Sequence, residues 1–67
     1  MDAEMTTAEA KKLLNKGVIL YYKGSTRMVM GLVVEVVPRN VRLDIGGVYN
    51  WIYLPDIRRY QVIHQAA

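Results

Sequence analysis

Residues 27–45 read RMVMGLVVEVVPRNVRLDI, and the periodicity of this stretch decides the fold. From Met28 to Val37 every residue is apolar except Gly31 and Glu35. β-Branched side chains dominate, which suits a pleated strand. Alternation puts Met28, Met30, Leu32, Val34 and Val36 on one face of a strand at 27–37, and Val29, Gly31, Val33, Glu35 and Val37 on the other. Only Glu35 marks either face as wetted, so cover is expected on both. Gly31 in mid-strand suggests a bend or a close backbone approach, as at a barrel corner. Pro38-Arg39-Asn40 then turns the chain. A third strand at 41–45 alternates cleanly, with Val41, Leu43 and Ile45 in and Arg42 and Asp44 out.

Upstream, residues 1–5 read as a tail. Thr6 and Glu9 have capping-box spacing, with Met5 placed as a hydrophobic staple. A helix is expected over 6–16, closed by Gly17 in the left-handed position past its end. Its apolar stripe, Ala10, Leu13 and Leu14, is thin, so the helix packs on something else. A first strand follows at 18–23 and turns at Gly24-Ser25. Downstream, Gly46-Gly47 leads into a fourth strand at 48–54. Pro55-Asp56-Ile57 reads as one 3₁₀ turn, residues 59–63 as a last strand, and 64–67 as a second tail. The expected architecture is mainly β: an N-terminal α-helix, then a five-stranded, strongly bent SH3-like barrel at 6–63.

A chain of 67 residues makes one domain near the lower limit for a single core. It has no cysteine and one histidine, His64, so neither a disulfide framework nor metal-ligand spacing supports the fold. An apolar fraction of 52% exceeds what so small a core hides, and self-association is the expected remedy. The longest strictly apolar run, residues 28–34, is far short of the roughly 20 residues that cross a bilayer. The acidic start lacks the basic-then-apolar pattern of a signal peptide, which points to the cytoplasm. No nucleophile–base pair, carboxylate pair or phosphate loop is evident, so catalysis and cofactors are not expected.

The net charge of +3 and pI of about 9.5 are compatible with nucleic acid or acidic partners. Seven of the nine cations fall in three groups: Lys11, Lys12 and Lys16; Arg39 and Arg42; Arg58 and Arg59. Taken singly, each reads as a solubilising charge, and adjacent Arg58 and Arg59 are expected on opposite strand faces. The aromatics are Tyr21, Tyr22, Tyr49, Trp51, Tyr53 and Tyr60. Such rings stack on bases in small barrels, and they are equally favoured at subunit interfaces. For Trp51, which shares a face with Tyr53, an interface or core role is preferred.

The order of elements resembles the Sm-like family, which includes the bacterial RNA chaperone Hfq. LYYKGSTRMVMGLVVEV resembles the first half of that family's core, with Gly31 at its bend-forming glycine. RNVRL resembles its third strand, and IYLPDIRRYQVI its fourth strand, 3₁₀ turn and fifth strand. The resemblance covers residues 6–63. It implies a non-catalytic homo-oligomeric ring, of about five to seven subunits, in which the fourth strand of one copy pairs with the fifth of the next. The interface would then draw on Trp51, Ile52, Tyr53, Leu54, Tyr60 and Val62. Asn40 would lie near the loop asparagine that touches uridine in Sm proteins, with Arg39 beside it. Tyr22 and Met30 match positions that contact purines on the opposite face in Hfq, and Lys11, Lys12 and Lys16 lie on the helix that carries its rim. Where Hfq has a Lys-His pair and Sm proteins an Arg-Gly, this chain has Leu54-Pro55. The expected function is single-stranded RNA binding that weakens steeply with salt. The alternatives are an oligomeric SH3-like module that recognises a protein or serves a structural role, and a monomeric Tudor-type barrel on nucleic acid.

Overall fold

In the computed structural model, which describes residues 5–63, one short helix and a five-stranded antiparallel open sheet share a single core. The elements are α1 (Thr7–Lys12), β1 (Gly17–Tyr22), β2 (Met28–Val37), β3 (Asn40–Ile45), β4 (Val48–Tyr53), a 3₁₀ turn (Leu54–Asp56) and β5 (Ile57–Val62). The sheet order is β4-β3-β2-β1-β5, so β4 and β5 are its two edges. Among the described residues no helix is long and apolar enough to cross a membrane. The tail at 64–67, with His64, lies outside the described residues.

The capping box starts α1 as its spacing requires. Thr6 Oγ1 accepts the Glu9 N–H at 3.1 Å, and the Thr6 N–H donates to Glu9 Oε1 at 3.1 Å. Met5, placed above both at the end of the tail and as a hydrophobic staple, is buried in the core. The helix is half the expected length. Asn15, at φ 67°, takes the left-handed position assigned to Gly17, and its N–H donates to Val33 O at 2.8 Å. Val33 N–H donates in turn to Lys16 O. These bonds draw the chain onto β2 before another helical turn can form, and Gly17 becomes the first residue of β1.

The largest departure from simple alternation lies in β2. Val33 pairs with Leu43, yet Glu35 pairs with Arg42, so Val34 is an extra, bulged residue. Before the bulge the inward residues are Val29, Gly31 and Val33, and after it Val36 packs on the core. The single apolar face running from Met28 to Val36 therefore does not exist. Nor is β2 covered on both sides: Met28 and Met30 are 56% and 58% exposed, because α1 packs Ala10 into the core on the inner face.

Val41 and Leu43 face inward as their alternation requires, both fully buried with Leu20, Leu54 and Ile57. Two residues named above for the subunit interface have their side chains buried. Ile52 and Leu54 are 6% and 1% exposed inside this chain's own core, which leaves them almost no surface for a neighbour. The 3₁₀ turn begins at Leu54, one residue earlier than expected, and Ile57 already belongs to β5.

At Gly31 the close approach is measurable. A Cβ there would lie 2.7 Å from the backbone oxygen of Asp44 and 3.0 Å from Ile45 Cγ1. Gly31→Ala is therefore expected to lower the unfolding free energy by about 1–3 kcal/mol, since it overpacks a backbone contact. Urea denaturation measures this, and an unchanged midpoint would mean that β3 can step aside.

Candidate nucleic-acid interface

The two-residue Gly46-Gly47 turn fixes what meets on the outer face. Both glycines have positive φ, 61° and 88°, as a primed hairpin turn requires. The Gly47 N–H donates to Asp44 Oδ1 at 2.8 Å. From the Ile45–Val48 pair the register runs back through Asp44–Tyr49 and Arg42–Trp51 to Asn40–Tyr53. Tyr49, Trp51 and Tyr53 thus form a row along an edge strand, beside Asn40, Arg42 and Asp44.

All three rings are in solvent, at 59%, 52% and 46% exposure. The Arg42 guanidinium lies 5.0 Å from the Tyr49 ring centre and 5.2 Å from that of Trp51. The same group makes an ion pair with Glu35 across β2–β3, which the bulge at Val34 has turned outward. Arg42 Nε is buried and has no hydrogen-bond partner. Arginine therefore stiffens the row by cation–π contact while much of its charge is balanced locally.

A second arginine–aromatic cluster occupies the other end of the same face. Tyr21 pairs with Arg59 but Tyr22 pairs with Ile57, so Arg58 is bulged. Both guanidiniums reach the Tyr21 ring, Arg59 at 4.0 Å and Arg58 at 5.6 Å, whereas strict alternation would separate them. Tyr21 Oη also donates to Gln61 Oε1 at 3.1 Å.

The residues expected to bind RNA do not form one patch. Met30 is exposed on the outer face, paired with Ile19. Tyr22 points to the inner face, packs against the core and is capped by Arg27 at 5.1 Å. On β1 the ring that shares the face of Met30 is therefore Tyr21. Lys11, Lys12 and Lys16 are exposed. Asn40 is half-buried, with Nδ2 donating to Pro38 O at 3.3 Å.

Arg39 sits at φ 64°, unusual for a residue with a Cβ. Its N–H donates to Thr7 Oγ1 at 3.0 Å and its carbonyl accepts the Leu54 N–H at 2.8 Å. The turn is thereby pinned between α1 and the 3₁₀ turn. Arg39, Tyr53, Thr6, Thr7 and Pro55 help to line a cleft of about 410 Å³ that adjoins the end of the aromatic row. Among the interface residues named from the sequence, Trp51, Tyr53 and Val62 are exposed and Tyr60 is half-buried against the core.

Tyr49, Arg42, Tyr21 and Arg59 appear among the aromatics and cations of the sequence, but sequence reasoning assigned none of them to a site. Tyr49 could have been found by extending the Trp51–Tyr53 alternation one step, and Arg42 by counting back from the Gly-Gly turn. The second cluster depends on a bulge that leaves no mark in the sequence. Among the described residues no group of three or more His, Cys, Asp or Glu side chains could hold a metal ion. Compared with known proteins, the chain matches no family model, no curated protein and no solved structure.

Trp51 is the only tryptophan, so its fluorescence reports this face alone. Arg42→Ala is expected to cost about 1 kcal/mol of stability and to increase quenching of Trp51 by acrylamide. Glu35→Gln, which keeps the guanidinium over the rings, should change that quenching much less. Equal quenching in the parent and Arg42→Ala would mean that the guanidinium does not shield Trp51.

Proposed function

We propose that the protein is a non-catalytic, ring-forming RNA-binding module of Sm-like, SH3-barrel type, acting in the cytoplasm without a cofactor. The observation that carries this reading is the open sheet. Its edge strand β4 has Val48, Tyr49, Trp51 and Tyr53 exposed, and Val62 is exposed on the opposite edge, β5. An isolated edge with so much apolar flank is an aggregation hazard unless another strand covers it. Pairing β4 of one copy with β5 of the next is a heterologous contact, which closes into a ring when the rotation between neighbours divides a full turn. Trp51, Tyr53, Tyr60 and Val62 would flank that junction. The resemblance in element order and the net positive charge support RNA as the ligand.

A second reading has its own observation. Met28, Met30, Tyr49, Trp51 and Arg42 on the outer face belong to residue types enriched at protein interfaces. An oligomeric protein-recognition module would use that surface for a partner protein.

Native mass spectrometry of the purified protein is expected to find one closed oligomer of several subunits, and filter binding at low salt is expected to detect single-stranded RNA. A monomer at micromolar concentration would overturn the ring. An oligomer without affinity for RNA, which retains a protein after nuclease treatment, would favour the second reading.

A further inference from the structure

We propose that Tyr49, Trp51 and Tyr53 are a stacking platform for single-stranded RNA, which lies along β4 with its backbone running toward Arg39. This inference rests on the RNA-binding reading above and gives it a site. Alternate residues on one strand stand roughly 7 Å apart, a step that a stretched single strand matches when its bases separate. Rings of this kind accept any base, because every base has a π-face. Two of the three are more than half exposed even with Arg42 over them, and Tyr53 is nearly half exposed. In-plane pairing of another strand with β4 would occupy its backbone edge and leave the outward rings accessible.

The surroundings favour nucleic acid over a protein partner. Asn40, Glu35 and Asp44 share this face, and a dry protein interface would have to bury both carboxylates. RNA in solvent leaves them wet. Asp44 is turned to the Gly47 N–H and Glu35 to Arg42, so neither need face a phosphate directly. Beyond Tyr53, Arg39 lines the 410 Å³ cleft with Thr7, whose Oγ1 accepts the Arg39 N–H and leaves its O–H to donate to a phosphate or the edge of a base, while the Thr6 hydroxyl donates to Glu9 Oε1.

This arrangement changes the expected salt dependence. Only Arg39 and Arg42 lie along the path, and Arg42 is already paired. At one to two phosphate contacts, affinity should fall by only about 3- to 7-fold between 50 and 200 mM salt, where a binder driven by 6 to 10 contacts to a single strand loses about 300-fold or more. Stacking carries the rest.

The test is a titration of the full chain with a short oligouridylate, read by Trp51 fluorescence. Quenching is expected with the single strand and not with the same strand in a duplex, whose base faces are covered. Tyr49→Leu should weaken binding by about 5- to 150-fold, with circular dichroism and native mass unchanged. Lys11→Ala with Lys12→Ala should alter affinity by less than about 2-fold, because these lysines are not on the path. Quenching as strong with the duplex would overturn the platform. So would RNA binding that leaves Trp51 unquenched and is lost in the lysine variant, which places the RNA elsewhere and preserves the broader reading. Shielding of Trp51 from acrylamide that persists in the RNA-free Arg42→Ala oligomer, where the guanidinium no longer covers the ring, would make the row a contact between copies, again overturning the platform. Absence of any RNA binding would remove both proposals.

Discussion

Between Val33 and Glu35 the β2–β3 ladder advances two residues on one strand and one on the other, and the division between core and surface follows from that offset. Without it, Val36 would point to solvent and Glu35 into the core, where an unpaired carboxylate costs several kcal/mol. With it, Glu35 faces outward beside Arg42, and Arg42 is held over Tyr49 and Trp51. The charge pair is weak as a source of stability because both partners are partly exposed. Its consequence is positional: it sets where a cation–π contact forms on an edge strand.

Close packing at Gly31 works with the bulge. The missing side chain lets the carbonyl of Asp44 approach β2, while the Asp44 carboxylate turns to the Gly47 N–H. The glycine in β2 and the turn that sets the β3–β4 register thus meet at one residue. The primed Gly-Gly turn allows no slip, because slipping by one residue would exchange Ile52 with Trp51 between core and solvent. A packing constraint in the core is in this way converted into a surface pattern of aromatic rings.

Small size explains why that surface stays open. α1 packs on the inner face, so there is one layer against one sheet, and among the described residues nothing covers the outer face of β2–β3–β4. The apolar excess noted in the sequence sits there and on the two sheet edges. Assembly through the edges and ligand binding on the face use different surfaces of the same strand: the first its backbone groups, the second its side chains.

Local chemistry made much of the fold legible. The capping box, the five strands, the turns at Gly24, Pro38-Arg39 and Gly46-Gly47, and the close approach at Gly31 were all readable from residue type and spacing. So was the inward set Val41 and Leu43, because β3 alternates without interruption. The tertiary structure alone decided the bulges at Val34 and Arg58, the early end of α1, and the burial of Ile52 and Leu54. It also separated Tyr22 from Met30 and brought Arg42 to Trp51. Each of these depends on which residues of distant strands pair. A bulge adds one residue to one strand, reverses every side chain beyond it, and is chosen by packing across the sheet rather than by any neighbour in the chain.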